Sequence, residues 1–136
     1  EKLSRVALAS AVRIDEYAFC SCKQLVSIDL PSATKVGDEA FSGCRQLRTA
    51  WLPDAVYVGT RSFSNCNHLT TIDLPAATTL GDCAFRDAAA LTSISIPNVA
   101  NLGEGAFKGC DNLTSVVLPT HTAAPDLPPN AIIRRV

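Results

Sequence analysis

From Leu25 to Leu30 the chain ends in a short alternation: Ile28 and Leu30 are apolar, Ser27 and Asp29 polar. A period of two over so few residues predicts a half-buried strand, with Ile28 and Leu30 facing a core and Ser27 and Asp29 facing out. Pro31 has no N–H to donate to a ladder, so the strand stops there. Further on, Gly37 punctuates a turn that needs either a positive φ or a close approach of backbone. Asp38-Glu39-Ala40-Phe41 then predicts a short helical or 3₁₀ turn that drops Phe41 into the core.

This unit recurs every 22 residues. Phe19, Phe41, Phe63, Phe85 and Phe107 keep that interval without a slip, as do Leu25, Leu47, Leu69, Leu91 and Leu113. Pro31, Pro53, Pro75, Pro97 and Pro119 follow it, and so do Gly37, Gly59, Gly81 and Gly103. The consensus is L-x-x-I-x-L-P-x-A-x-x-V-G-x-x-A-F-x-x-C-x-x. One unit cannot bury its own apolar face, whereas stacked units share a continuous core, so the chain is expected to be a solenoid. Six parallel strands, starting near residues 3, 25, 47, 69, 91 and 113, would make a sheet roughly 24 Å across at about 4.8 Å per strand.

The whole chain, residues 1–136, reads as one domain. A degenerate first repeat spans 3–24, with Leu3, Val6 and Leu8 in the strand slots, Ala9 for the proline and Asp15 for the glycine. Full repeats follow at 25–46, 47–68, 69–90 and 91–112, and residues 113–136 hold a last repeat and a capping, irregular segment. In that segment Ala124-Pro125-Asp126-Leu127-Pro128-Pro129 predicts a rigid extended loop. Ile132-Ile133-Arg134-Arg135-Val136 predicts a strand that covers or extends the end of the stack. A start without Met and an abrupt end suggest a piece of a longer protein.

The residues L-P-x-A-x-x-V-G-x-x-A-F-x-x-C-x-x-L, repeated from about Leu3 to Pro119, resemble the BspA-like leucine-rich repeats of bacterial surface proteins and large protist families. The resemblance implies an α/β solenoid. It would be a curved, right-handed stack with a parallel β-sheet of about six strands on the concave side and helical or 3₁₀ turns on the convex side. It also implies adhesion or protein–protein binding, and by that route a cell-surface or extracellular location. This chain departs from the pattern at Ala50 for Ile, Ser62 for Ala and Ala88 for Cys, none of which threatens the fold.

Composition narrows the function classes. The 136 residues are 47% hydrophobic and 18% charged with a net charge of -1, which gives no basic footprint for nucleic acid. No apolar run is long enough for a spanning helix, so direct membrane insertion is not expected. Four of the six cysteines, Cys22, Cys44, Cys66 and Cys110, share one repeat slot that Ala88 fills in the remaining copy. A repeated slot argues for a buried, reduced ladder whose S–H reaches a loop carbonyl, although adjacent rungs are close enough for a disulfide. Cys20 and Cys83 lie off that ladder and are expected to be exposed; unpaired thiols lean towards a reducing compartment. No metal site and no cofactor is expected, because Cys20-x-Cys22 lacks a second ligand pair and no nucleotide-binding or zinc motif occurs. No catalytic residue is expected either: His68 shares a polar loop slot, His121 lies in the tail, and an open sheet has no pocket to perturb Asp29 or Asp73.

What remains is the outward face of the sheet. One column of outward slots runs Arg5, Ser27, Thr49, Thr71, Ser93, Ser115, and a second runs Ala7, Asp29, Trp51, Asp73, Ser95, Val117. A third, half-outward column carries Ser4, Val26, Arg48, Thr70, Thr92 and Thr114. Trp51 is the one tryptophan, placed outward between two aspartates, the composition of an interface anchor. The alternative is a Trp lying across neighbouring Thr side chains or covered by a flanking domain. The candidate binding residues are therefore Trp51, Asp29, Asp73, Arg48, Arg5, Thr49 and Thr71, and the expected partner is a protein. A structural subunit, meeting flanking repeats or neighbouring chains through the solenoid ends, is the second possibility.

Overall fold

The computed structural model describes residues 3–136. Each repeat contributes one three-residue strand with a single inward apolar side chain: β1 (Arg5–Ala7), β3 (Ser27–Asp29), β5 (Thr49–Trp51), β7 (Thr71–Asp73) and β9 (Ser93–Ser95). β11 (Ser115–Leu118) is one residue longer, and β12 (Ile132–Arg135) comes from the tail. They pair in parallel in the order β1-β3-β5-β7-β9-β11-β12. The strands begin two residues later than expected, and the sheet has seven strands rather than about six. The tail strand extends it, with Ser115 opposite Ile132. At about 4.8 Å per strand the sheet is roughly 29 Å wide.

The expected helical or 3₁₀ turns do not form, and the bonding of the Gly37–Cys44 segment explains why. Ala40, Ser42 and Cys44 donate their N–H groups back three residues, to Gly37, Glu39 and Phe41. Between them, Glu39, Phe41 and Gly43 donate to Thr60, Ser62 and Ser64 of the next rung. A helix would consume every N–H within its own segment. Here alternate ones are diverted along the stack, so the local i→i+3 turns stay isolated. The diversion requires left-handed residues: Glu39 has φ 54° and Gly43 φ 72°, and the equivalents Arg61 and Asn65 have φ 52° and 59°.

A second sheet stands between these turns and the first. Its strands are two residues each, β2 (Arg13–Ile14), β4 (Lys35–Val36), β6 (Tyr57–Val58), β8 (Thr79–Leu80) and β10 (Asn101–Leu102), paired in parallel from β2 to β10. Ile14, Val36, Val58 and Leu80 point inward from it and are buried.

The core is built in columns. The five phenylalanine rings stack with centroids 5.3, 5.3, 5.4 and 6.0 Å apart and planes within 12° of parallel. Phe41, Phe63, Phe85 and Phe107 are fully buried. At the C-terminal end, Ala124, Leu127 and Ala131 of the irregular segment pack against this core. The N-terminal end has no comparable cover among the described residues: Leu3, Leu8, Val12 and Tyr17 are exposed.

The cysteine ladder takes the expected form at three of its four places; Cys22, on the uncovered first rung, is half-buried rather than buried. Cys44, Cys66 and Cys110 are buried free thiols, and their Sγ atoms donate to the carbonyls of Phe19, Phe41 and Phe85 one rung back, at 3.1, 3.3 and 3.0 Å. Ala88 is buried in the vacant place. Burial pushes the Cys44 and Cys110 thiols up to about 12 from the ordinary 9.0, and pushes Cys66 up as well. Cys20 and Cys83 are half-buried rather than exposed; both sit in the turn layer, and Gly105 of the next rung lies close against Cys83 Sγ. The thiol ladder makes stability pH-dependent. Unfolded thiols ionise near 9.0 and the native ones near 12, so across that interval unfolding releases protons. The contribution of these thiols is therefore complete below 9.0, falls as pH rises through this window, and is lost by the native value. Urea midpoints should be equal at pH about 7 and about 8 and clearly lower at about 10.5, and Cys66→Ala should flatten the fall.

Ser62 is the one departure from the consensus with a visible cost. It is fully buried and its Oγ has no hydrogen-bond partner, in a slot that Ala40, Ala84 and Ala106 fill without penalty. Restoring the repeat residue with Ser62→Ala should stabilise the protein by about 1 kcal/mol in urea denaturation.

Candidate functional site

The parallel register assembles the outward columns. Asp29 is opposite Trp51 and Trp51 is opposite Asp73, so the indole leaves the sheet between two carboxylates on adjoining strands. Trp51 is 56% exposed. Thr49 and Thr71 are opposite each other two residues earlier, on the same face and exposed. Arg5 is opposite Ser27 on the edge strand, and its Nη2 reaches Asp29 Oδ2 at 3.7 Å. Arg48 precedes β5 and is exposed rather than half-outward. It lies three residues from Trp51, about 10 Å along an extended chain, and is not brought into the Asp29–Trp51–Asp73 group.

Asp29 is the unusual member. Its Oδ1 is buried and has no hydrogen-bond partner among the described residues. It also lines a hollow of about 180 Å³ with Ala7, Leu8, Ala9, Pro31 and Trp51. This hollow lies on the sheet's N-terminal side, where Ala9 stands in the proline slot of the first repeat. Period counting placed Trp51 and Asp29 on one face but gave no sign of the hollow, which depends on where the first rung's chain turns away.

The hydroxyl columns divide by use. Thr92 and Thr114 donate to the carbonyls of Thr70 and Thr92, each one rung back, at 3.2 and 3.3 Å. They stitch the rungs together at the entrance to the strands, and the adaptable hydroxyls of the face are those of the Thr49 and Thr71 column.

On the opposite, turn-bearing side, several of the charges are structural. Asp38 Oδ1 accepts from the backbone N–H of Thr60, and Asp82 Oδ1 from that of Glu104, both at 2.9 Å. Asp126 closes the series from the tail by accepting from Gly105 at 2.9 Å. Asp38 and Asp82 each follow a repeat glycine, which is the sequence signal for these two rung-to-rung ties; Thr60 and Glu104 in the same slot make none. His68, a polar loop residue by its slot, has Nδ1 2.6 Å from the Arg45 carbonyl. The equivalent Asn112 donates to the Ala89 carbonyl at 2.7 Å. No cluster of three or more His, Cys, Asp or Glu side chains suited to a metal occurs among the described residues. No helix among them is long and apolar enough to cross a membrane.

A 22-residue unit, an in-register parallel sheet, a stacked aromatic column and a buried thiol ladder define a leucine-rich-repeat solenoid. The BspA-type leucine-rich repeat region matches residues 2–114 in six copies, and the chain belongs to that family. Among solved structures, a T. pallidum leucine-rich repeat protein is 30% identical, with a TM-score of 0.83 over 88% of this chain and 60% of its own. A Bacteroides ovatus leucine-rich repeat protein is 26% identical, with a TM-score of 0.90 over 98% of this chain and 36% of its own. A leucine-rich cell surface protein of Faecalibacterium prausnitzii is 26% identical, with a TM-score of 0.77 over 92% and 33%. The chain thus spans between a third and three-fifths of the length of these neighbours. A comparison with curated proteins gives no match.

Proposed function

We propose that this domain is a non-enzymatic binding module that takes a protein partner on its seven-stranded sheet, with Trp51 as the anchor. The observation that carries the reading is a large aromatic side chain held 56% exposed in the middle of a rigid sheet, between two carboxylates. Such a residue offers much contact area at little ordering cost, and fully desolvating it on binding is the usual origin of a hot spot. The rung-to-rung ladders on both sides of the sheet keep the face preformed. Leucine-rich repeats are in general protein-interaction folds, and adhesion is the form of that function the family resemblance supports. The description of the F. prausnitzii neighbour as a cell surface protein favours surface display. The partial burial of Cys20 and Cys83 weakens the opposite lean from exposed unpaired cysteines. In affinity capture from the source cells, Thr71→Arg, which sets a long charged side chain beside Trp51's strand, should abolish retention of the partner. Arg86→Ala on the turn side should leave it unchanged; the reverse pattern overturns the reading.

A second reading is favoured by the ends. Leu3, Leu8, Val12 and Tyr17 are exposed at the first rung, while β12 leaves Ile132 exposed at the far edge of the sheet. Uncovered edge strands invite further pairing, which suits a structural subunit meeting neighbours end to end. Light scattering that shows mass growing with concentration, and capture indifferent to Thr71→Arg, would make this the better account.

A further inference from the structure

We propose that the partner presents an arginine side chain to the hollow beside Trp51; this rests on the reading of the sheet as the binding face. The hollow combines three features. Its wall is an exposed indole, its apolar lining comes from Ala7, Leu8, Ala9 and Pro31, and its one charged group is Asp29. Asp73 lies on the other flank of the indole. An indole face attracts a cation through its quadrupole, and a carboxylate beside it fixes where that cation sits. A guanidinium suits both, being planar enough to stack on the ring while an N–H at its edge donates to the accessible Asp29 Oδ2.

The state of Asp29 argues that the carboxylate is under-satisfied within the chain. Among the described residues, one oxygen is buried without a partner, and the other has only Arg5 at 3.7 Å, with the Arg5 side chain 67% exposed. That separation is longer than a charge-assisted hydrogen bond. Arg5 therefore occupies the place of the incoming cation loosely and without the ring, since it stands in the column of Ser27 and Thr49 rather than that of Trp51. An arginine from the partner gains the indole as well as the carboxylate and displaces Arg5, which is then an internal competitor.

The test uses Trp51 emission, which reports this site alone because the chain has one tryptophan. The probe is the blocked peptide Gly-Gly-Arg-Gly-Gly, compared with the same peptide carrying citrulline, which keeps the shape and removes the charge. The arginine peptide should shift or quench the emission saturably and the citrulline peptide should bind several-fold more weakly. Asp29→Asn should remove that preference, and Arg5→Ala should tighten arginine binding, with unchanged urea midpoints showing that both variants fold. Equal binding of the two peptides, no emission change with the arginine peptide, or weaker binding to Arg5→Ala overturns the proposal. Retention of the captured partner by Asp29→Asn but not by Thr71→Arg would reject the arginine and keep the sheet as the binding face. Retention by both would reject the face itself.

Discussion

Phe63→Ala is expected to lower the unfolding free energy by about 3–5 kcal/mol, and to do so at the upper end of that range. Phe63 is fully buried and stacks on Phe41 at 5.3 Å and on Phe85 at 5.4 Å. Truncation therefore empties one place in the column and removes two ring–ring contacts, each worth about 0.5–1.5 kcal/mol beyond the buried area. The position in the middle of the stack adds a qualitative signature. Repeat stability is a sum of rung and neighbour terms, so weakening a central interface should loosen the coupling of the two halves and broaden the urea transition. Arg61→Ala, two residues away, should change stability by no more than about 0.5 kcal/mol. Arg61 is exposed, its Nη1 lies 3.8 Å from Glu39 in a weak surface pair, and its left-handed backbone is equally strained with Arg or Ala. Far-UV circular dichroism across a urea series checks both, and similar shifts for the two would mean that the repeat register is wrong.

Gly59→Ala is expected to be nearly as damaging, by about 2–3 kcal/mol, for an unrelated reason. A Cβ at Gly59 would stand 2.7 Å from the Asp38 backbone nitrogen and 2.7 Å from the Gly37 carbonyl carbon of the preceding rung. Backbone cannot swing aside as a side-chain tip can, so the rungs must separate or tilt, with loss of the Gly59 N–H bond to Val36 and the Thr60 N–H bond to Asp38. Close approach, and not a positive φ, is thus what the repeat glycine supplies; Gly37, Gly59, Gly81 and Gly103 are not left-handed. The degenerate first repeat agrees. Asp15 fills the glycine slot, and in the stack no earlier rung of the described chain presses on it. Asp15→Ala should accordingly leave the urea midpoint within about 0.5 kcal/mol of the wild type.

The period made most of the core legible, because stacking converts a sequence interval into a spatial column. Phe41 and Phe63, Cys44 and Cys66, Ile28 and Ile72 meet or align as their spacing requires. The turn conformation was not legible. Asp38-Glu39-Ala40-Phe41 has nothing in its own composition against a helical turn, and what prevents one is the carbonyl of Thr60 in the next repeat accepting the Glu39 N–H. A contact 21 residues away in sequence decides a local structure. The two-residue strands of the second sheet were missed for a similar reason. Val36, Val58 and Leu80 mark them with one apolar residue before the glycine, too short a signal for a period of two.

For the candidate site, the face was legible and its relief was not. Alternation placed Trp51, Asp29 and Asp73 outward, and the register brings them side by side. Arg48 lies three residues before Trp51, just ahead of its strand, and only the geometry separates it from that group. The isolation of Asp29 Oδ1 depends on the packing of the first rung, which the degenerate repeat does not specify.

The central claim is that the seven-stranded sheet binds a protein through Trp51. It is tested most directly by affinity capture with wild type and Trp51→Ala, each shown by its urea midpoint to be equally folded. The account predicts a partner held by wild type and lost by the variant, because the exposed indole supports little of the fold and much of the contact. A partner held equally by both would contradict it, and would place binding on the turn side or the open first rung.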